Sequence, residues 1–157
     1  MSMAETVKSY MAALQIDYDL LPHPKTYNSR ESAEAAHIPE DHIAKAVIVK
    51  DARGYAMVVI PGRHWLKLKA MSEEVGREFS LAEEAEINKL FNDCQSGAIP
   101  PVGPAYQLAT FMDQRLLALA NIFFEAGDHE HLVHVDGKGF HKLLKGARHG
   151  YFSHNND

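Results

Sequence analysis

AVIVKDARGYAMVVI, residues 46–60, holds the strongest strand signals in the chain and decides the predicted fold. Two runs rich in β-branched and apolar side chains, 46–49 and 55–60, flank the turn-forming segment DARG at 51–54. This arrangement predicts an antiparallel β-hairpin. Pro61 and Gly62 follow directly and are expected to end the second strand.

Helical and strand patterns alternate irregularly on both sides of this hairpin. Helices are predicted after a capping box at Ser2-x-x-Glu5, over 28–36 and 69–76, from a second capping box at Ser80-x-x-Glu83 to about Phe91, and around 140–144; strands are predicted near 17–21, 107–112, 121–126 and 130–135. Irregular alternation beside an antiparallel hairpin favours an α+β fold with a mixed, curved and partly barrel-like sheet flanked by helices, over a doubly wound parallel sheet.

Length and composition indicate one domain spanning residues 1–157, because the chain has no internal repeat and no linker-like stretch. With 46% hydrophobic and 24% charged residues, the disordered, collagen-like and disulfide-scaffold classes are excluded. No apolar run reaches the roughly 18 residues of a membrane span, and the N-terminus lacks the pattern of a signal peptide. The single cysteine, Cys94, is typical of a reducing compartment, so we expect a cytoplasmic protein without membrane association.

Charge is segregated along the chain, although the formal net charge is only −5. Residues 45–69 contain six basic side chains and one acidic one, for a local charge of +5, and the other residues together carry −10. Such a segment predicts either a basic face for a phosphate-bearing ligand or lysines and arginines on the solvent side of a hairpin.

Two local features are candidates for chemistry. The loop GAIPPVG at 97–103 is either a rigid loop whose backbone groups orient a water or stabilise an oxyanion, or a tight surface turn. Lys45, in IAKAVIVK, stands where a short helix gives way to the first strong strand. Its ammonium either receives a phosphate or polarises a carbonyl at the rim of a cleft, or it is a solvated strand end.

Nucleophilic and metal chemistry have weaker support. Cys94 lacks a family signature for a nucleophile, so a small buried side chain is the competing interpretation. His129 and His131 alternate in a predicted strand and could share a face for zinc or iron, but His134 falls on the opposite face and ten histidines make chance pairs frequent. No GxGxxG, GxxxxGK[ST] or GxSxG motif is present, which removes support for dinucleotide redox, P-loop and serine-hydrolase chemistry.

Four segments together resemble one family. They are AKAVIVK with Lys45, YAMVVIPGRHWLKLKAM, LFNDCQSGAIPPVG with Gly97-x-x-x-Pro101, and FEAGDHEHL. In this order and spacing, from about residue 20 to 145, they resemble the YbaK/prolyl-tRNA synthetase-associated aminoacyl-tRNA editing domains, which include free-standing, ProX-like trans-editing proteins. The combination of the lysine with Gly-x-x-x-Pro is the more specific part of the resemblance.

The resemblance implies a deacylase that hydrolyses the ester bond between a wrong amino acid and a tRNA, most often alanine or cysteine on the tRNA for proline. Lys45 matches a lysine that anchors phosphate or the terminal adenosine. Gly97 and Pro101 match a loop that presents backbone groups to the ester and to the attacking water or 2′-hydroxyl. These three are the expected catalytic residues. The expected substrate-binding residues are Ala98, Ile99, Pro100 and His131, the last by its match to a histidine of the amino-acid pocket.

The family implies no metal and no organic cofactor, since an aminoacyl ester is already activated and needs positioning more than acid–base chemistry. The implied partners are the acceptor end of aminoacyl-tRNA and, as a candidate, prolyl-tRNA synthetase. With a net charge of −5, the affinity of the chain for tRNA is expected to be weak and salt-dependent. A second interpretation stays open, in which the YbaK-like fold is a non-catalytic ligand-binding or regulatory module.

Overall fold

The computed structural model describes residues 3–155. Its helices are α1 (Glu5–Ala13), α2 (Ser29–Ala36), α3 (Leu68–Val75), α4 (Glu84–Leu90) and α5 (Gly137–Leu143). Its strands are β1 (Asp19–Pro22), β2 (Ala44–Asp51), β3 (Gly54–Pro61), β4 (His64–Leu66), β5 (Ser80–Leu81), β6 (Ala109–Asp113), β7 (Asn121–Glu125), β8 (His131–Asp136), β9 (Arg148–Gly150) and β10 (Ser153–Asn155). Ser2, the predicted cap of the first helix, lies outside the described residues. No helix within 3–155 is long and apolar enough to cross a membrane.

β2 and β3 form the predicted antiparallel hairpin, which is confirmed along its whole length. Gly54 adopts a φ of +123°, which residues with a Cβ rarely adopt, where the chain leaves the two-residue turn. The Asp51 carboxylate accepts from the Arg53 amide at 3.0 Å and from the Arg77 guanidinium at 2.6 and 2.7 Å. These contacts tie the turn of the hairpin to the segment that follows α3.

The hairpin belongs to a five-stranded sheet with the order β5-β2-β3-β6-β9. β3 pairs in parallel with β6, and β6 in parallel with β9, so the sheet is mixed, as predicted. A second, antiparallel sheet has the order β1-β8-β7, and β4 pairs separately with β10. A single parallel bridge between Ile43 and Phe123 links the start of β2 to β7, and the sheets of residues 3–155 do not close into a barrel.

β3 lies at the centre of the core because it is buried on both faces. Met57 and Val59 pack into a cluster with side chains of α1, β7 and α5. Val58 and Ile60 point to the opposite face and pack with side chains of α3 and β6. A strand that is buried on both faces explains why residues 56–60 form an unbroken apolar run and not an alternating one.

The second capping box, predicted at Ser80, is wrong in position. Ser80–Leu81 forms an edge strand that pairs with β2, and α4 begins only after Glu83. The Glu83 carboxylate accepts from the Glu86 amide, and the Glu86 carboxylate accepts from the Glu83 amide at 2.9 Å, so the capping box lies three residues further along. Glu86 also accepts from Lys50 at 2.7 Å, which joins α4 to the hairpin.

Gly103, at the end of the Gly/Pro-rich loop, is expected to tolerate alanine poorly. A Cβ there would collide with Thr110 Oγ1 and lie 3.3 Å from Thr110 Cβ. Thr110 cannot turn away without losing the hydrogen bond that its hydroxyl donates to the Leu108 carbonyl at 2.9 Å. We expect Gly103→Ala to lower the free energy of unfolding by about 1–3 kcal/mol, measured by denaturant titration.

Thr110→Ala supplies the control for this prediction, because it removes the hydroxyl with which the new methyl group would collide. The double variant should therefore lose less stability than the sum of the two single variants. Unchanged stability of Gly103→Ala, or losses that simply add, would contradict the packing argument.

Candidate active site

One wide cleft, of about 1530 Å³, brings together two of the features singled out in the sequence. Lys45 and its neighbours on β2 form one part of its wall, and Ser96, Gly97 and Ile99 of the loop after α4 form another. Parts of the segment 27–41, which carries α2, also line it. Lys45 and the Gly97 loop, distant in sequence, therefore border the same space.

The loop exposes backbone to the cleft more than side chains. Gly97 is exposed and adopts a φ of +82°, a conformation that favours glycine, and the next residue, Ala98, is fully buried. Ile99 is half-buried on the cleft wall, whereas Pro100 and Pro101 are buried and do not line it. Of the five predicted site residues in this loop, Gly97 and Ile99 thus reach the cleft, and the other three shape the loop from inside.

His129 fixes this loop in place, a role that the sequence analysis did not predict. A carbonyl oxygen can only accept, so Nε2 of His129 donates to the Ser96 carbonyl, at 2.6 Å. The ring is buried, and a Cβ added at Gly97 would lie 3.5 Å from its Cε1. Nearby, the Gln95 amide donates to the Gly127 carbonyl at 2.8 Å. Two hydrogen bonds therefore join the Gly97 loop to the segment 127–129.

His131, the histidine expected in the amino-acid pocket, does not line the cleft. Its Nδ1 lies 2.7 Å from Oδ2 of Asp128. β8 begins at His131, and His129 lies in the turn before it with a φ of +63°. The predicted alternation of these two histidines along one strand is therefore wrong. Within residues 3–155, no group of three or more histidine, cysteine, aspartate or glutamate side chains is arranged to hold a metal ion.

Lys45 is the cleft's one lysine or arginine side chain that forms no salt bridge among the described residues. The other two form the ion pairs Arg30–Glu34, at 3.3 Å, and Arg63–Asp41, at 3.6 Å. Nζ of Lys45 instead lies 5.5 Å from the centre of the Trp65 ring. Burial lowers the pKa of Lys45 from its ordinary value, and the charge of Glu40 acts in the opposite direction. A partly desolvated ammonium without a carboxylate partner is suited to an incoming phosphate or carbonyl oxygen.

The predicted basic face does not form at the cleft. Of the six basic residues in 45–69, only Lys45 and Arg63 line it, and Lys50 is bound to Glu86 at 2.7 Å. The lining carries three lysine or arginine side chains against five carboxylates, those of Glu34, Glu40, Asp41, Glu84 and Glu125. Recognition of phosphate here therefore depends on one position, Lys45, and not on a broad positive field.

A buried polar network borders the cleft at α2. Ser32 donates to the Glu125 carboxylate at 2.6 Å and lies 2.7 Å from the Thr26 hydroxyl. Burial raises the pKa of Glu125. His23 Nε2, buried and without a hydrogen-bond partner among the described residues, lies 3.9 Å from Oε1 of Glu125. The network anchors the segment 23–32, which carries Tyr27 at the edge of the cleft.

Sequence reasoning considered His129 only as a metal ligand and missed its contact with the Gly97 loop, and it missed Glu125 entirely, although both lie in the FEAGDHEHL stretch that carried the resemblance. The turn that separates His129 from the strand could have been suspected from Gly127-Asp128, a turn-forming pair. For Tyr27 and Trp65, no sequence signal separated cleft residues from ordinary core or surface aromatics.

Cys94 is a half-buried thiol in a polar cluster away from the cleft lining. Its Sγ lies 3.4 Å from the Tyr106 hydroxyl and 3.4 Å from Oδ1 of Asp93. Burial, together with the charge of Asp93, raises the pKa of Cys94 to about 12. Since the thiolate is the nucleophilic form, this environment suits the interpretation of Cys94 as a small structural side chain.

One family of known proteins matches most of the chain. A model of the aminoacyl-tRNA editing domain matches residues 23–143, which include Lys45, the Gly97 loop and His129. The chain therefore belongs to the aminoacyl-tRNA editing domain family. Among curated relatives, the prolyl-tRNA editing protein ProX of Acetoanaerobium sticklandii is 22% identical over 152 residues, which cover 92% of each chain.

Two solved structures have the same fold. The hypothetical protein APE2540 superposes with a TM-score of 0.84 at 27% identity, over 96% of this chain and 100% of that one. A candidate trans-editing enzyme for prolyl-tRNA synthetase superposes with a TM-score of 0.81 at 21% identity, over 97% of each chain. These similarities confirm the predicted YbaK-like α+β fold.

The raised pKa of Cys94 predicts slow alkylation of the native protein. At pH 8 a thiol with a pKa of about 12 is ionised about a thousandfold less than one with a pKa of 9, and only the thiolate reacts. Iodoacetamide labelling, followed by mass spectrometry, should be correspondingly slower in the native protein than in guanidinium chloride. Equal rates in the two conditions would contradict the buried environment.

Proposed function

We propose that this chain is an aminoacyl-tRNA deacylase that acts in trans on mischarged tRNA, with alanine or cysteine on the tRNA for proline as the expected substrates. One observation carries the proposal: the ammonium of Lys45, free of any salt bridge within residues 3–155, and the exposed backbone of Gly97 line the same cleft. Membership of the editing family supports the choice of reaction, and the similarity to a prolyl-tRNA editing protein supports the choice of tRNA.

The proposed reaction needs few chemical groups from the protein. A water molecule attacks the ester carbonyl carbon, and the bond from that carbon to the 3′ oxygen of the terminal ribose breaks. The proton lost by the water passes to the 3′ oxygen, which leaves as a hydroxyl, with the neighbouring 2′-hydroxyl as the nearest relay. Because the ester is already activated, holding the carbonyl and the water together accounts for most of the rate gain, and the proposal includes no metal ion.

Lys45 and the Gly97 loop have separate roles in this proposal. Lys45 binds a phosphate or the ribose of the terminal adenosine, and its partial desolvation strengthens that contact. Backbone groups at Gly97 face the carbonyl oxygen, where negative charge develops in the transition state. Pro100 and Pro101 are assigned an indirect role, since their rigid rings restrict the loop from its buried side.

The lining of the cleft is suited to an aminoacyl group with a free amino group. Ala46 and Ile99 supply apolar surface close to the proposed reaction centre. The carboxylates of the lining outnumber its lysine and arginine side chains by five to three, and this excess of negative charge favours the α-ammonium group, which every aminoacyl ester carries. An N-blocked aminoacyl ester lacks this ammonium group and is expected to be a poorer substrate.

The experiment that tests the proposal is a deacylation panel with alanyl-, cysteinyl-, seryl- and prolyl-tRNA for proline. We expect release of alanine or cysteine but not of proline, at rates that EDTA does not change. Turnover of none of the four would favour the alternative, a non-catalytic ligand-binding or regulatory module. Loss of turnover with EDTA would contradict the metal-free part of the proposal.

Two lysine variants show whether the measured activity belongs to the cleft. Lys45→Ala should lower kcat/KM at least about tenfold, because it removes a charge-assisted contact with the substrate. Lys50→Ala is the matched control, since Lys50 lies on the same strand but is bound to Glu86 and does not line the cleft. Equal losses in both variants would reduce Lys45 to one member of a diffuse basic surface.

The two histidines of the 127–131 segment are expected to differ sharply in activity assays. His129→Ala removes the hydrogen bond to the Ser96 carbonyl, so the Gly97 loop moves and kcat falls roughly 10- to 100-fold. His129→Gln keeps an amide donor and should retain part of the activity. His131→Ala, outside the cleft, should remain close to wild type. A larger loss for His131→Ala than for His129→Ala would restore the original assignment of the pocket histidine.

A further inference from the structure

Two large aromatic side chains stand exposed on the lining of the cleft. Tyr27 is 67% exposed and Trp65 is 57% exposed, and both line the cleft. Exposing an indole and a phenol on one concave surface leaves apolar area in water that a ligand can cover. Neither ring has a role in the deacylation steps proposed above.

Trp65 has a backbone held in a strand and a ring that is open to solvent. It lies in the middle of β4, and β4 pairs with β10, where His154 is its partner. Nζ of Lys45 lies 5.5 Å from the centre of the indole ring, so the tryptophan adjoins the basic end of the site. The pairing of β4 with β10 fixes the backbone of Trp65, and a large planar ring with only two side-chain torsions loses little conformational entropy when a second ring stacks on it.

Tyr27 lies near the Gly97 loop. Its amide donates to Oε1 of Glu31 at 3.2 Å, at the cap of α2, which fixes its backbone. Its ring lies 5.6 Å from the ring of His129, which bonds the Ser96 carbonyl beside Gly97. One exposed aromatic ring therefore adjoins Lys45, and the other adjoins the loop.

The charge of the cleft determines what these rings can recognise. With five carboxylates against three lysine or arginine side chains in its lining, the cleft attracts a chain of phosphates weakly, so affinity for RNA has to come from other contacts. Every nucleobase has an apolar face, and stacking of unpaired bases on aromatic side chains is a main source of affinity for single strands. Paired bases cannot offer their faces in this way.

We propose that Trp65 and Tyr27 are stacking platforms for the bases of the unpaired 3′ end of the tRNA. This inference rests on the proposed function, which brings the terminal ribose between Lys45 and Gly97. The unpaired nucleotides next to that ribose then lie beside the two rings. Sequence preference is expected to be slight, because stacking reads the faces of the bases and not their edges.

Trp65 is the chain's single tryptophan, so its fluorescence reports stacking directly in the unmodified protein. The probe is an RNA hairpin that carries no amino acid and has an unpaired 3′ ACCA end. It is compared with the same hairpin in which the last three nucleotides are abasic. We expect the first hairpin to quench Trp65 emission, to shield it from iodide, and to bind about tenfold more tightly than the second. Unchanged emission, as expected if Trp65 serves a protein partner instead, or equal affinities, would overturn the inference.

Variants measured with a labelled hairpin by fluorescence anisotropy separate stacking from folding. Trp65→Ala and Tyr27→Ala should each lose most of the roughly tenfold difference in affinity between the ACCA hairpin and the abasic hairpin. Trp65→Phe should keep part of this difference. Tyr151→Ala is the matched control, because Tyr151 is 56% exposed but lies outside the cleft, against Arg115. Full affinity in Trp65→Ala would contradict the inference.

The fluorescence and anisotropy measurements do not depend on the deacylation assay. The hairpin carries no aminoacyl ester, so stacking can be detected even in a chain that hydrolyses no ester. Stacking without hydrolysis would refute the proposed function alone. Release of alanine or cysteine by a chain whose Trp65 emission does not respond to the hairpin would refute the stacking platforms alone.

Discussion

The burial of β3 on both faces is the constraint on which the rest of the structure depends. Met57 and Val59 fill the core on one side, and Val58 and Ile60 fill it on the other, so a slip of one residue would exchange two packed sets of side chains. β2 pairs with β3 along its whole length, and its register is therefore fixed as well. Lys45, paired with Ile60, is thus placed at the cleft by packing on the neighbouring strand.

The other parts of the cleft depend on polar contacts. His129 and Ser96 join the turn before β8 to the Gly97 loop, and Glu125 and Ser32 join β7 to α2. Both contacts bridge segments far apart in sequence. His129 and Ser32 are buried, and a hydrogen bond lost by a buried group costs more than one lost in water. The site is therefore preorganised by a few specific hydrogen bonds in addition to the loop's own glycine and prolines.

Features that depend on local pattern could be predicted from the sequence. The hairpin at 44–61 follows from β-branched runs around a turn, and α2 begins after Asn28, whose side chain accepts from the Glu31 amide. The three-residue strands β4, β9 and β10 are too short to show a period. The difference between His129 and His131 depends on a turn with positive φ that ends one residue before the strand, and alternation alone cannot detect it.

The charge of the cleft differs most from what the sequence predicted. The reason is that basic side chains form ion pairs with carboxylates from other parts of the chain. The basic run at 45–69 suggests a positive face, but Lys50 and Arg63 are paired with Glu86 and Asp41 and add little net field. In the proposed function, a cleft whose described residues hold one ammonium without a salt bridge among several carboxylates disfavours the closely spaced phosphates of a duplex more than a single strand that ends in a cationic aminoacyl group. In the proposed function this difference directs the chain to the end of the tRNA and away from its helical body. Selection of the right tRNA must then come from contacts outside the cleft.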